Sequence, residues 1–459
     1  MSLAIDAKLA AARAVAGLSR RAGRGGTSLP GKMLIRLEPR AISELSSRLE
    51  RGSVVVSATN GKTTTAAMVA AVLERARISL VHNRTGANMA GGVASALLAA
   101  THIGNGIDGE LGLFEVDEFW LDRIVPELGP RAILLGNLFR DQLDRYGELE
   151  TIADRWAATV AAATPGTDLI LNADDPLIAD LGRHRERVAY FGVEDPEMAM
   201  AEMQHASDSK HCRRCGAAYS YEAIYLGHLG RYHCPNCGQR RPSPSVAAER
   251  ISLEGTRRAS FVLRTPRGEV EVRLPLPGLY NVYNALGASA LCLELGIELE
   301  TIVAALGDVR AAFGRAETVI VGPTEVSILL VKNPAGANEI LRTLALERGE
   351  LELLAVLNDR TADGRDVSWV WDADFELLAS RVGRVTCAGT RAAELALRLK
   401  YAGVPAERLE VVPGLSGALD RALAPAPQRL FVLPTYTALL ELQEELAARG
   451  HLPGSWKGR

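Results

Sequence analysis

From Ser53 onward, short apolar runs that end in polar residues alternate with longer stretches of helical spacing. Val54-Val55-Val56, Leu111 to Val116, Ala132 to Asn137 and Asp168 to Asn172 are runs of this kind. They predict buried parallel strands whose C-terminal ends carry function. A second series begins near Val319 and continues at Ser327 to Val331, Leu353 to Leu357, Val382 to Thr386 and Leu430 to Leu433. The break follows Phe313-Gly314-Arg315-Ala316-Glu317. The pattern thus predicts two α/β domains, 51–317 and 318–459, behind a short helical segment, 1–50. Between Glu197 and Pro244 the alternation fails, and polar residues, histidines and paired cysteines replace it. An insertion in the first domain, at about 205–243, follows.

Composition narrows the class. A chain of 459 residues is too long for one core, and 47% apolar with 23% charged residues is ordinary for a globular protein. Its 52 basic and 55 acidic residues leave a net charge of −3, so there is no global basic field to attract nucleic acid. The first 26 residues lack the apolar core of a signal peptide, and no run of 18 apolar residues occurs, which predicts a cytoplasmic protein. Lys8, Arg13, Arg20, Arg21 and Arg24 among alanines make a basic first helix. A solvated face is the simpler reading of it, and peripheral contact with a membrane surface the other.

The segment Ser57-Ala58-Thr59-Asn60-Gly61-Lys62-Thr63-Thr64-Thr65 carries the most chemistry. It joins an apolar strand to an Ala-rich helix, and a tight Gly-Lys-Thr turn at a helix start is an anion site. Backbone N–H groups and the helix dipole face a phosphate, Lys62 adds a charge, and a hydroxyl from Thr63 or Thr64 can hold Mg²⁺. The usual first glycine of a P-loop falls on Val56, so the loop is a variant. In this context Lys62 is expected to be exposed, to contribute no packing, and to be removable without harm to the fold.

Cys212-Arg-Arg-Cys215-Gly and Cys234-Pro-Asn-Cys237-Gly, 18 residues apart, have the spacing of a four-thiolate zinc site. Four thiolates close the coordination shell, so the metal is expected to stabilise the insertion and take no part in chemistry. Cys292 and Cys387 stand alone in apolar surroundings and read as buried thiols of a reducing compartment.

Further polar groups lie at strand ends. Glu115-Val-Asp117-Glu118 closes one apolar run, where a carboxylate can reach a metal at the P-loop. Asn137-Leu-Phe-Arg140-Asp141-Gln142-Leu-Asp144-Arg145-Tyr146-Gly147 follows another and is dense in hydrogen-bonding groups. Asn281 and Asn284 sit at a helix start, where they cap the helix or read a base edge. Arg315 lies at the domain junction, from which it can swing onto a γ-phosphate when the domains close.

Taken in order, Thr59 to Thr64, Glu115, Asn137 with Asp141 to Gly147, Asn281 to Asn284, and Gly314 to Glu317 resemble the Mur ligase superfamily. Arg84 to Met89, the four-cysteine insertion, Lys332-Asn-Pro-Ala-Gly336 and Asn358 to Asp372 resemble its lipid II-amidating branch, so the likeness covers nearly the whole chain. It implies a central P-loop domain with an inserted zinc ribbon and a smaller, Rossmann-like C-terminal α/β domain. It further implies ATP, bound through Thr59 to Thr64, Asn137, Asn281, Asn284 and Arg315, and Mg²⁺ on Thr63 and Glu115. There are departures. Ala58 replaces the superfamily's glycine, Gln142 stands where a metal-site histidine is usual, and no carbamylated lysine has a match. Residues 1–50 are also too short for a nucleotide-sugar-binding domain, which fits a lipid-linked substrate.

The implied reaction is amidation of the α-carboxylate of D-glutamate in the stem peptide of lipid II, through an acyl phosphate. No cysteine of this chain sits in a nucleophile-elbow context, so ammonia should come from a partner, a class I glutamine amidotransferase of the GatD type. The resemblance places the carboxylate that orients that partner's Cys-His pair between Asn358 and Asp372. Asp359, Asp363, Asp366 and Asp372 are the candidates. Asp366, between a turn and an apolar run, is the first choice. Two other readings stand beside this one: a stand-alone amino-acid ligase of the folylpolyglutamate type, and a zinc-ribbon P-loop protein that binds nucleic acid. The near-neutral charge and the lack of a basic, aromatic-interleaved patch weigh against the second.

Overall fold

The computed structural model describes residues 9, 12–13, 28–84, 87–102, 106–141, 149–204, 207–310 and 317–452. Its first sheet takes β1 (Ser53–Ser57), β2 (Leu80–His82), β3 (Leu111–Glu115), β4 (Ala132–Leu135), β5 (Asp168–Asn172) and β6 (Val188–Val193). A separate hairpin, β7 (Ser220–Leu226) and β8 (Leu229–His233), interrupts it before β9 (Val246–Glu254), β10 (Arg258–Thr265) and β11 (Gly268–Leu274). Across the sheet the order is β2-β3-β1-β4-β5-β6-β9-β10-β11. It is parallel from β2 to β9 and antiparallel beyond.

Valines 54 to 56 show why β1 is central. Val54 and Val56 pack into one core with Leu73 and Leu286, and Val55 into the opposite core with Leu97 and Trp156. A strand buried on both faces needs an unbroken apolar run. Around β1 the chain reverses direction, proceeding through β2 and β3 on one side and β4 onward on the other. The crevice at the C-terminal ends of β1, β3 and β4 is therefore the switch point at which open α/β sheets bind ligands.

The second sheet runs β12 (Glu317–Val321), β13 (Thr324–Ile328), β17 (Arg429–Pro434), β14 (Leu351–Val356), β15 (Val382–Ala388) and β16 (Leu409–Val411) across its width. Only the β12–β13 pair is antiparallel. The predicted strands of both series are present. The short β2 and β16, and the solvent-facing β9 to β11, gave no continuous apolar run. Residues before β1 form helices Leu29–Leu37 and Ala41–Ser46, whose Leu34, Ile42 and Leu45 join the core that holds Val55. Among the described residues no helix is long and apolar enough to cross a membrane.

Candidate active site

β1 ends at Ser57, and after four intervening residues the helix Lys62–Arg75 begins. Gly61 makes the turn at φ 85°, and a Cβ there would lie 2.0 Å from Asn284 Oδ1, so any side chain is excluded on two counts. The loop is held by its neighbours. Asn60 N donates to Asn137 Oδ1 at 2.9 Å, and Asn137 Nδ2 returns a bond to Asn60 O at 3.0 Å. Thr59 Oγ1 accepts from Phe139 N at 3.1 Å. The strand end after β4 is therefore a brace for the loop.

Lys62 is not the exposed residue its context predicts. Its side chain is buried, with Nζ 2.8 Å from Glu118 Oε2 and 3.1 Å from Ala58 O. Burial alone would pull the ammonium down; the carboxylates of Glu118, then Asp117 and Glu115, outweigh it and hold its pKa above that of an ordinary lysine. Burial likewise pushes Glu118 up, but Lys62 and Lys332 prevail and keep it below the usual carboxylate range. Asp117 goes the other way, raised by burial and by Glu118. The reason for the difference from expectation is tertiary: the turn after β3 folds its acidic residues under the loop.

Thr63 Oγ1 donates to Glu115 Oε1 at 3.0 Å, and Asn88 Nδ2 donates to the same oxygen at 3.3 Å. Asn83 fixes the Glu115 backbone from both sides, at 2.8 and 3.0 Å. A hydroxyl and a carboxylate converge beside a phosphate-type loop, a donor set that suits Mg²⁺. Asn83 and Asn88 were not singled out by sequence; only the position of Asn88 in the Arg84–Met89 run marked it.

Asn281 and Asn284 do not cap their helix, Leu279–Glu294, which starts at Gly278 with no side-chain cap. Instead they are buried and form a chain, Asn284 Nδ2 to Asn281 Oδ1 at 3.0 Å and Asn281 Nδ2 to Pro277 O at 2.7 Å. Thr65 Oγ1 donates to Asn284 Oδ1 at 3.2 Å. With Asn60, Gly61, Thr64 and Asn137 they form the polar end of a cleft whose other end is lined by Leu226, Leu229, Leu276 and Ile340. Arg315 lies outside the described residues, as do Gln142, Asp144, Arg145, Tyr146 and Gly147.

The C-terminal domain reaches the same loop. Lys332 pairs with Asp141 and donates to Thr59 O at 3.3 Å. Asn333 and Asn60 exchange two side-chain hydrogen bonds at 3.0 and 3.2 Å, while Asn333 Oδ1 also accepts from Gly336 N, capping the helix Pro334–Ala345. The two domains are thus closed on the loop. Beside this contact a second cleft is lined by Arg140, Lys332, Asp363, Asp366 and Asp372.

The four aspartates of that region differ. Asp363 is buried and accepts from Thr437 N at 2.7 Å and from its hydroxyl at 2.5 Å, binding the loop to the helix Tyr436–Ala448. Asp359 accepts from Thr390 and Arg391. Asp372 lies 3.6 Å from Arg140. Asp366 is exposed, its Oδ1 held by Ser368 N at 2.8 Å, and bonds from the Ser368 side chain and backbone lower its pKa.

In the insertion, the sulfurs of Cys212, Cys215, Cys234 and Cys237 all lie within 4.8 Å of one another. Tetrahedral zinc with Zn–S of about 2.3 Å needs S···S edges of roughly 3.8 Å, and the 3.5 Å Cys212–Cys237 and 3.4 Å Cys215–Cys234 distances are near it. Hydrogen bonds led by the Ala217 backbone lower the Cys215 thiol to about 6, so it favours the thiolate a metal needs. Of the histidines, His228 is far from this cluster, fully buried at the hairpin turn.

A doubly wound sheet with a Gly-Lys-Thr loop at its switch point, acidic residues under the loop and a second α/β domain closed over it defines a two-domain α/β protein with its candidate site at the domain junction. Residues 56–292 match the model of the Mur ligase middle domain, and residues 330–439 that of the MurT ligase C-terminal domain. A Streptococcus pneumoniae protein named lipid II isoglutaminyl synthase (glutamine-hydrolyzing) subunit MurT is 34% identical over 431 residues, 94% of each chain. Its namesake from Staphylococcus aureus is 32% identical over 432 residues, 93% of this chain and 94% of that one. A solved pseudomurein peptide ligase type C from Methanothermus fervidus shares the fold at a TM-score of 0.68 and 23% identity, over 88% of this chain and 80% of that one. The chain belongs to the Mur ligase family, in its MurT branch.

Proposed function

We propose that this chain is the ATP-dependent ligase subunit of a lipid II-amidating enzyme. Its carboxylate substrate is the α-carboxyl of D-glutamate in the stem peptide, and its product D-isoglutamine. The observation that carries the reading is the MurT likeness along nearly the whole chain, centred on a loop built for phosphates.

The substrate carboxylate oxygen attacks the γ-phosphorus of ATP, ADP leaves, ammonia attacks the acyl carbon of the resulting acyl phosphate, and inorganic phosphate departs. In that sequence the backbone N–H groups around Gly61 and the Lys62 ammonium neutralise phosphate charge, which is most of what such a transfer asks of a protein. Glu118 keeps Lys62 charged and fixed before substrate arrives. Thr63 and Glu115 would hold Mg²⁺, which supplies further charge stabilisation at the phosphates. Lys332 and Asn333 bring the second domain against the loop and exclude water. Cys212, Cys215, Cys234 and Cys237 would hold structural Zn²⁺.

Ammonia is scarce at neutral pH, so the reading includes a GatD-type glutaminase partner. Asp366 is proposed as the carboxylate that orients the partner's histidine. It is exposed, it is pre-oriented by Ser368, and it borders the cleft that leads to Lys332. Asp363 and Asp359 already serve contacts within the domain. Co-expression with a glutaminase subunit, followed by mass analysis of lipid II after incubation with ATP and glutamine, tests the whole proposal. Conversion of one carboxyl to an amide is expected. Addition of an amino acid without any partner would instead establish the stand-alone ligase.

A further inference from the structure

Resting on the ATP reading above, we propose that the tip of the cysteine-bearing hairpin is a wall of the nucleotide-base compartment, so that the four-cysteine cluster governs nucleotide affinity from a distance. The ribbon is then part of the substrate site, not an appendage that merely holds itself together.

The cysteines flank the open end of the β7–β8 hairpin, and the turn at Gly227-His228 lies at the other end. Seven residues of β7 separate the two ends by roughly 20 Å. Burial runs opposite to what a surface decoration would show. At the cysteine end Cys215 and Cys237 are exposed, and Cys212 and Cys234 are buried beneath them. Tyr225 and His228 are 0% exposed, Leu229 2% and Leu226 6%. The tip is therefore plugged into the molecule, and Leu226 and Leu229 line the cleft that begins at Asn60 and Gly61.

The tip is held by residues that border that cleft and by others just behind it, His228 Nε2 lying 3.3 Å from a buried Asp175 carboxylate. Phe139, two residues beyond Asn137, packs against the His228 ring at a centroid distance of 4.8 Å with the rings tilted by 56°. Gly227 has φ 56°, and a Cβ there would lie 2.9 Å from Phe139, so the turn must be glycine to seat. Gln204 Oε1 accepts from Gly227 N at 3.1 Å. From the C-terminal domain, Arg342 donates to Tyr225 O at 2.7 Å and to Glu339 at 2.8 Å. The tip thus touches both domains at their junction.

The segment that follows the last cysteine adds a second coupling. Arg241, four residues after Cys237, pairs with Asp174 and with Glu194. Asp174 Oδ2 accepts from Tyr283 Oη at 2.6 Å, on the same helix as Asn281 and Asn284. Movement at the metal end would be felt by the asparagines as well as by the tip.

The compartment has the character a purine asks for. Leu226, Leu229, Leu276, Leu330 and Ile340 offer apolar faces, and asparagine amides offer donors and acceptors for the ring edge. An isolated two-stranded hairpin is marginally stable. Four thiolates on one metal would supply the rigidity that keeps Leu226 and Leu229 in place.

The test is calorimetric titration of the full chain with ADP and, in parallel, with inorganic tripolyphosphate, which has phosphates but no base. Leu229→Ala is expected to weaken ADP binding about tenfold and leave tripolyphosphate unchanged. Cys215→Ser, with zinc content measured, should shift ADP in the same sense. In the wild type, ADP should protect the amides of residues 225–230 from hydrogen exchange, a readout that needs no variant to fold. Unchanged ADP affinity in folded Leu226→Ala and Leu229→Ala overturns the inference, and so does a parallel loss of tripolyphosphate. Protection of Gly61 to Thr64 without protection of 225–230 also overturns it. A wild type that binds neither ligand would strike the ATP reading instead.

Discussion

Replacing Lys62 by methionine removes one half of a buried ion pair while keeping most of the side-chain volume. Lys62 Nζ and Glu118 Oε2 are 2.8 Å apart, and the two side chains are only 10% and 5% exposed. The Glu118 carboxylate would be left charged and unpaired, which costs about 3–5 kcal/mol. At about 2–4 °C per kcal/mol for a domain of this size, melting should fall by roughly 6–20 °C. The pH dependence follows from the direction of the Glu118 shift. In the wild type its folded pKa is depressed, so its contribution is present above the unfolded value of about 4.3 and is lost as pH falls through the folded one. In Lys62→Met the unpaired, buried Glu118 is raised instead, so its penalty is full at neutral pH and shrinks as pH falls toward 5. Lys62→Met/Glu118→Gln should recover most of the stability at pH 7.5 and none of the nucleotide binding. Urea unfolding followed by tryptophan emission suits the measurement, because buried Trp156 donates its Nε1 to Glu118 O at 2.8 Å. A single variant within about 1 kcal/mol of wild type, or one that Glu118→Gln does not rescue, would refute the argument.

Gly61→Ala should abolish nucleotide binding in a folded protein, since its Cβ would displace Asn284; retained ADP affinity by calorimetry would contradict this. Cys212→Ser should lower zinc content by elemental analysis and destabilise the insertion, shown by faster proteolysis within 205–243. Asp366→Asn should leave thermal stability unchanged, remove glutamine-driven amidation in the complex with a glutaminase, and keep amidation driven by high ammonium. Asp363→Asn should do the reverse, lowering stability by about 1–3 kcal/mol through the lost contacts with Thr437 while keeping both activities in the folded fraction.

Local chemistry was readable from the chain alone. The Val54-Val55-Val56 run marks a strand buried on both faces, because such a strand admits no alternation. Gly61 followed by Lys62 and Thr63 marks a tight turn into a helix, because glycine takes its left-handed conformation without strain and the next residues open the helix. Paired Cys-x-x-Cys knuckles mark four thiols that meet in space, because the spacing within each knuckle is a property of the backbone. What the sequence could not supply is the relation between segments that no periodicity connects. Lys62 and Glu118 are 56 positions apart, and nothing along the chain says that an acidic turn closes over the lysine and buries both. Asn281 and Asn284 read in sequence first as helix caps, and only the fold shows that they cap nothing and instead pack against Gly61 and Thr65. Asp359, Asp363, Asp366 and Asp372 are separated in sequence only by local context, which favours Asp366 but shows no contacts. Thr437 and Arg391, from elsewhere in the fold, engage two of them. The hairpin tip is the largest case: its cysteines announce a ribbon, but where Leu226 and Leu229 come to rest depends on how two domains and an insertion meet. Short-range backbone preferences are written in neighbouring residues, whereas burial and electrostatic partnership exist only once distant segments have packed.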